Sequence, residues 1–171
     1  METWWLALDR DYTSYLEVKH RKIVAQGWSS LGDLSTLCPL VQNNGNWNLF
    51  EQVTQELARL AYGVNSGQIN RSPSVMWSLL KLEDKDLIVG IEGTAVKGIC
   101  QLNQNGWESY KYDDSGAYEY AQTIGFPVEW VDWDANIFGF TPLPPNKMLG
   151  VKRLQNDSAR VIGAWQAYQS P

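Results

Sequence analysis

Trp28 ends the run Val24-Ala25-Gln26-Gly27 and opens into Ser29-Ser30-Leu31-Gly32-Asp33, which sets an indole beside hydroxyls, backbone N–H groups and a carboxylate. A flat aromatic wall next to such donors and acceptors suits a planar ligand such as a flipped base. Stacking contributes about 1–3 kcal/mol per base, and the polar edges supply selectivity. The competing reading makes Trp28 a rim side chain that clamps the loop behind it. Aromatics are abundant, with nine Trp, eight Tyr and four Phe, and most of them should fill cores. Trp4 or Trp5, Trp47 and Trp165 are assigned to packing. In 128–133, strand alternation puts Trp130 and Trp133 on opposite faces. Tyr110 and Tyr112 share a face, as do Tyr118 and Tyr120, while Trp107 points away from Tyr110.

Other chemistries have thinner material. His20 could act as a base beside Cys38 or a serine, but it sits within Lys19-His20-Arg21-Lys22, a solvated run. Asp113-Asp114, or Asp132 with Asp134, could bind a cation or act as acid and base; turn acids at strand ends are the plainer reading. One His and two Cys do not make a zinc site. Neither a phosphate-loop nor a dinucleotide fingerprint is present. The expectation is therefore a chain that is not an enzyme and takes no cofactor or metal. The enzymatic alternative is a small metal-dependent hydrolase or nuclease built on Asp33 and a neighbouring acid.

Lys and Arg total 14 against 19 Asp and Glu, a formal charge of -5. That excludes a basic coat and leaves local cations, Lys19, Arg21, Lys22 and Arg71, as candidate contacts to a nucleic-acid backbone. No apolar run approaches the ~20 residues of a membrane span. Met1-Glu2-Thr3-Trp4-Trp5 lacks the features of a signal peptide, and two cysteines without a CxxC pairing suit reduced thiols, so a cytoplasmic protein without membrane attachment is expected.

The elements that must position these groups follow from periodicity. With 171 residues, one domain spanning 1–171 is expected. Strands are predicted over 4–8 and 21–26, joined by a polar connector over 9–20. After Pro39 and a glycine-asparagine turn, Phe50, Val53, Leu57 and Leu60 repeat at helical spacing behind Asn48 as cap, with Glu51 three residues on. A second helix is expected to open with Ser72 as cap and Pro73 in the first turn, burying Val75, Leu79 and Leu82. A hairpin over 87–91 and 96–102 turns at Glu92-Gly93. Further strands are expected near 107–112, 117–122 and 128–133, then a last helix from Asp157 with Val161, Ile162, Trp165 and Tyr168 on one face. The sum is a mixed α/β domain on a small curved sheet or barrel with flanking helices.

The order of these features resembles a known family. Gly27-Trp28-Ser29-Ser30-Leu31-Gly32-Asp33-Leu34 is similar to the G-W-x-x-x-G-D-L segment of EVE-like domains, members of the PUA superfamily related to the YTH readers of methylated RNA. Asp86-Leu87-Ile88-Val89 resembles the strand written G-D-x-V, with Lys85 where the family often has glycine and Ile88 in the place of the valine. Val96-Lys97-Gly98-Ile99-Cys100 is similar to the next strand, and Tyr118-Glu119-Tyr120 and Val128-Glu129-Trp130 look like the Y-x-Y and V-x-W signatures. The similarity runs from about Thr3 to Trp133.

The resemblance implies a PUA-like fold that flips a modified base into an aromatic cage. Similar domains stand at the N-terminus of McrB-like subunits of modification-dependent restriction systems, where they read methylated DNA. Trp28 and Ser29 match the first cage tryptophan of YTH readers and its small polar successor. Trp107, Tyr118 and Tyr120 are candidates for the remaining walls, with Asp33 at the polar edge. The implied partners are modified double-stranded DNA and a fused or associated nucleotide-driven motor and nuclease. The alternative within the fold is an RNA-binding PUA-like module, since a splayed single-stranded base needs no flipping.

Overall fold

The run Trp4-Trp5-Leu6 is apolar at every position, which suits a strand covered on both faces. In the computed structural model, which describes residues 1–42, 45–146 and 148–170, it lies in β1 (Thr3–Leu8), followed by α1 (Tyr15–Arg21), β2 (Val24–Gln26), α2 (Trp47–Tyr62) and α3 (Gln68–Leu80). The hairpin β3 (Leu87–Glu92) and β4 (Ala95–Gln101) comes next, then α4 (Gly106–Ser109), β5 (Lys111–Tyr112), β6 (Gln122–Ile124), β7 (Val131–Asp132), α5 (Ala135–Phe138), β8 (Val151–Arg153) and α6 (Ser158–Gln169). The architecture is mixed α/β.

Five strands form one sheet in the order β7-β4-β3-β1-β8, and three form a second in the order β2-β6-β5. β1 runs parallel to β3, with Trp5 opposite Val89, and the other pairings are antiparallel. The five-stranded sheet is not closed into a barrel. Alternation divides its side chains between two cores. Trp4, Leu6, Leu8, Ile88 and Cys100 pack toward α2, α3 and the smaller sheet, whereas Trp5, Leu87, Val89, Ile91 and Ile99 pack toward Phe138, Val161 and Trp165. Trp130 and Trp133 fall on opposite faces as alternation requires, each packed in a different core.

Several boundaries differ from those read in the sequence. The polar connector over 9–20 contains α1, whose Ser14 Oγ accepts from Glu17 N at 3.3 Å and whose Tyr15 and Val18 are buried one turn apart. The second strand accordingly starts at Val24, two residues beyond the helix end at Lys22, which takes a left-handed φ of 55°. α2 is capped by Asn46 rather than Asn48, with Oδ1 accepting from Leu49 N at 3.1 Å. α3 begins at Gln68, because Ser66 Oγ accepts from Gln68 N and Ile69 is buried; Ser72 lies inside the helix and donates to Gln68 O at 2.8 Å. Trp107 belongs to the helical turn α4, and only parts of the later strand-like runs pair. The expected glycine-asparagine turn includes residues 43 and 44, which lie outside the described residues.

Among the described residues no helix is long and apolar enough to cross a membrane. Cys38 and Cys100 are buried free thiols.

Candidate base-binding cavity

β1 and β3 are parallel and stop together, and a cavity of about 870 Å³ opens beyond their carboxyl ends. Its floor and walls come from the end of β2, the last turn of α2, the first turn of α3, the β3–β4 hairpin, Tyr120 and residues 148–150. The volume lies in the range typical of small-ligand sites and has room for a base with its sugar.

Trp28, Tyr62 and Tyr120, with the more exposed Tyr12 at the mouth, supply the aromatic surface. Trp28 has φ 57° and ψ 41°, a left-handed conformation that costs a bulky residue on the order of 1–2 kcal/mol. Hydrogen bonds over-determine it: its carbonyl accepts from Leu31 N at 3.0 Å and from Gln122 Nε2 at 3.1 Å, and its indole Nε1 donates to Gln68 Oε1 at 2.9 Å. The indole is thus fixed at both ends while remaining half-buried. Gly27 lies against the second wall, where a Cβ would make ordinary van der Waals contact with Tyr120 Cε1 at 3.4 Å. Behind Tyr120, Arg21 Nη1 donates to its carbonyl at 3.2 Å. Burial, reinforced by the charge of Asp9, pushes the Tyr120 phenol up to about 12, so its hydroxyl stays a donor. Burial also raises the Tyr62 phenol.

Acceptors dominate the polar lining. Gln26, 1% exposed, donates through Nε2 to Ala7 O at 3.1 Å, and among the described residues nothing donates to its Oε1. Four carboxylates, Asp9, Asp11, Glu92 and Glu119, face two cations, Arg10 and Lys97. Lys97 lies 3.6 Å from Glu92, and Arg10 lies 3.8 Å from Asp11. Asp9 and Glu119 have no cation partner among the described residues.

Of the residues singled out in the sequence, Trp28 and Tyr120 meet at this cavity, and the others do not line it. Ser29 accepts through its carbonyl from the Tyr112 hydroxyl at 2.8 Å. Asp33 caps a turn by accepting from Ser35 N at 2.8 Å. Tyr118 stacks over the Arg21 guanidinium, 3.8 Å from ring centroid to Cζ. Trp107 lines a different cavity of about 940 Å³, together with Trp4, Trp77 and Lys81, near the other end of β1. Tyr62, Gln26, Gln68 and Asp9 join the site without having been singled out. The signals they offered were a glutamine in an otherwise apolar strand and a tyrosine just before Gly63.

Most of the expected backbone-binding cations are engaged within the protein. Lys19 pairs with Asp132 at 2.7 Å and Lys22 with Glu129 at 2.7 Å. Arg21, only 10% exposed in its side chain, bridges Glu17 and Asp113 at 3.0 and 3.2 Å. Arg71 is exposed on α3, one turn beyond Gln68, with no ion pair among the described residues.

The groups considered for catalysis are occupied in similar ways. Asp132 accepts from Lys19 and the Tyr15 hydroxyl, which lowers its pKa; Asp113 is lowered by its bonds with Ser115 and by Arg21. Asp134 caps α5. Burial, with help from Asp33, pushes the Cys38 thiol up to about 11, so it is not a thiolate at neutral pH. Among the described residues no three His, Cys, Asp or Glu converge as a metal site would need.

No known protein family, curated protein or solved structure matches the chain.

Proposed function

We propose that the chain is a non-catalytic nucleic-acid-binding module that receives a modified base, extruded from its stack, between Trp28, Tyr62 and Tyr120. The observation that carries this reading is the tethered indole of Trp28, held in a costly backbone conformation at the wall of a cavity lined also by Tyr12, Tyr62 and Tyr120. Strain retained beside a cavity fits a preorganised stacking surface. The resemblance to EVE-like domains of the PUA superfamily points the same way, and so does Lys85. It occupies the position where that family often has glycine, and its φ of 71° is a conformation glycine favours. On this reading the partner is methylated DNA, and the module targets a restriction system whose motor and nuclease lie elsewhere, in the cytoplasm.

A second reading, single-stranded nucleic acid including RNA, is favoured by the charge distribution. A mouth with four carboxylates, and basic residues already paired with acids, gives little attraction to a duplex backbone. A base in a single strand needs no flipping energy.

The test is a set of short duplexes and single strands of DNA and RNA, each with one modified base, titrated while tryptophan fluorescence is followed. The base-caging reading expects one modified oligonucleotide to bind more tightly than its unmodified counterpart, and Trp28→Ala to abolish that difference. Equal affinity for every strand, unaffected by Trp28→Ala in a folded variant, overturns it.

A further inference from the structure

We infer that the cavity selects a base carrying positive charge, one alkylated on a ring nitrogen, over a neutral base of the same size. The inference rests on the base-caging reading and specifies its ligand. Four aromatic residues, Tyr12, Trp28, Tyr62 and Tyr120, line the cavity, and the face of such a ring attracts a planar cation more strongly than a neutral ring. The lining then adds formal negative charge. Lys97 and Arg10 face Glu92 and Asp11, which leaves Asp9 and Glu119 without a counter-ion among the described residues. The charge of Asp9 already reaches the Tyr120 hydroxyl, whose ionisation it opposes. Gln26 is an independent observation: it is buried, lines the cavity, and keeps an amide oxygen for which no described residue supplies a donor. A ligand that satisfies this set presents N–H donors and a positive charge.

The same ligand removes a difficulty in the extrusion step. The protein's paired cations offer few contacts to phosphates, so little binding energy is available to unpair a base from a duplex. Alkylation of a ring nitrogen on the pairing edge abolishes Watson–Crick pairing, and such a base leaves the stack at low cost.

Isomeric bases separate charge from size. 1-Methyladenine and N6-methyladenine have the same heavy atoms, but only the first is protonated and cationic at neutral pH; 3-methylcytosine and 5-methylcytosine form a second such pair. Each base is placed at the centre of a nine-nucleotide DNA single strand. These strands and a trimethyl-lysine peptide are titrated against wild type, Asp9→Asn, Glu119→Gln, the double variant that combines those two, and Trp28→Ala. Asp9→Asn retains the oxygen that accepts from Asp11 N, and Glu119 is exposed, so both variants keep the fold. The cationic isomer should bind about tenfold or more tightly than the neutral one, and the double variant should reduce that ratio to about threefold or less.

Equal or tighter binding of the neutral isomers, with Trp28→Ala weakening both, overturns the charge selection and leaves the base cage standing. Tighter capture of a trimethyl-lysine peptide than of any strand overturns the assignment to a base. No discrimination by any strand, together with no effect of Trp28→Ala, overturns the cage itself.

Discussion

Trp28 and Gln68, from the end of β2 and the first turn of α3, are joined by an indole-to-amide hydrogen bond of 2.9 Å. The bond fixes the plane of the ring, and the left-handed backbone fixes where the ring begins. Stacking and preorganisation are therefore separable. Trp28→Ala should weaken binding of a modified-base strand by about 1–3 kcal/mol. Gln68→Leu keeps the ring and removes its tether, so it should cost only about 0.5–1.5 kcal/mol. Titrations of the two variants against one strand check the order; a larger loss for Gln68→Leu would mean that the amide contacts the ligand directly.

Arg21 and Arg71 should separate in the opposite sense. Arg21 joins Glu17, Asp113, the Tyr118 ring and the Tyr120 carbonyl, so Arg21→Ala should lower unfolding free energy by about 2–3 kcal/mol, and affinity should fall through displacement of Tyr120. The salt dependence of binding should change little. Arg71 makes no such bonds among the described residues, so Arg71→Ala should leave stability within about 0.5 kcal/mol and flatten the slope of log affinity against log salt by about 0.7–0.9. Denaturation curves and salt titrations on both variants decide this.

The glycine in β4 supports a different prediction. A Cβ at Gly98 would lie 2.5 Å from Tyr15 Cζ and 2.6 Å from Cε2. Tyr15 cannot move aside freely, because it packs edge-on against Trp130 with centroids 5.6 Å apart and donates to Asp132 at 2.8 Å. Gly98→Ala should therefore destabilise by about 1–3 kcal/mol, as overpacked cores do, and urea denaturation should show it. Gly93, with open space around its Cβ position, tests the other half of the argument. Its φ of 61° makes Gly93→Ala costly through the backbone alone, on the order of 1 kcal/mol.

Where side-chain period and strand length were both clear, the sequence could be read. β1, the β3–β4 hairpin and α6 stand close to their expected positions, and alternation separated Trp130 from Trp133. α1 was illegible because seven residues hold barely two turns, and its two buried positions, Tyr15 and Val18, sit among charges. The site was half legible. Trp28 could be found because it closes the run that forms β2, and Tyr120 because it belongs to the Tyr118-Glu119-Tyr120 segment that resembles a family signature. Tyr62 and Gln68 reach the cavity only because α3 packs on β2 and α2 packs on α3, a tertiary arrangement that no local pattern encodes. The basic run Lys19 to Lys22 carried no sign of Asp113, Glu129 and Asp132, which lie about a hundred positions away and take up its charge.

Tyr120 gives the pH prediction. Burial chiefly, and the charge of Asp9 secondarily, raise its phenol to about 12 in the folded chain, against about 10 for an unfolded tyrosine. A raised acid pKa means that the unfolded state releases its proton first as pH rises. The associated stability is complete below about pH 10 and is lost between about pH 10 and 12. Tyr15, Tyr62 and Tyr110 are also raised, so wild-type stability should fall steeply across that interval. Tyr120→Phe keeps the ring against Gly27 but has no proton to release, and its stability should fall less steeply. Urea denaturation of both proteins at about pH 9 and about pH 11 measures the difference. At neutral pH the variant should still stack a base, with weaker affinity if the hydroxyl donates to the ligand. Parallel declines in the two proteins would place the Tyr120 hydroxyl in open water, and the second wall of the cavity would have to be assigned elsewhere.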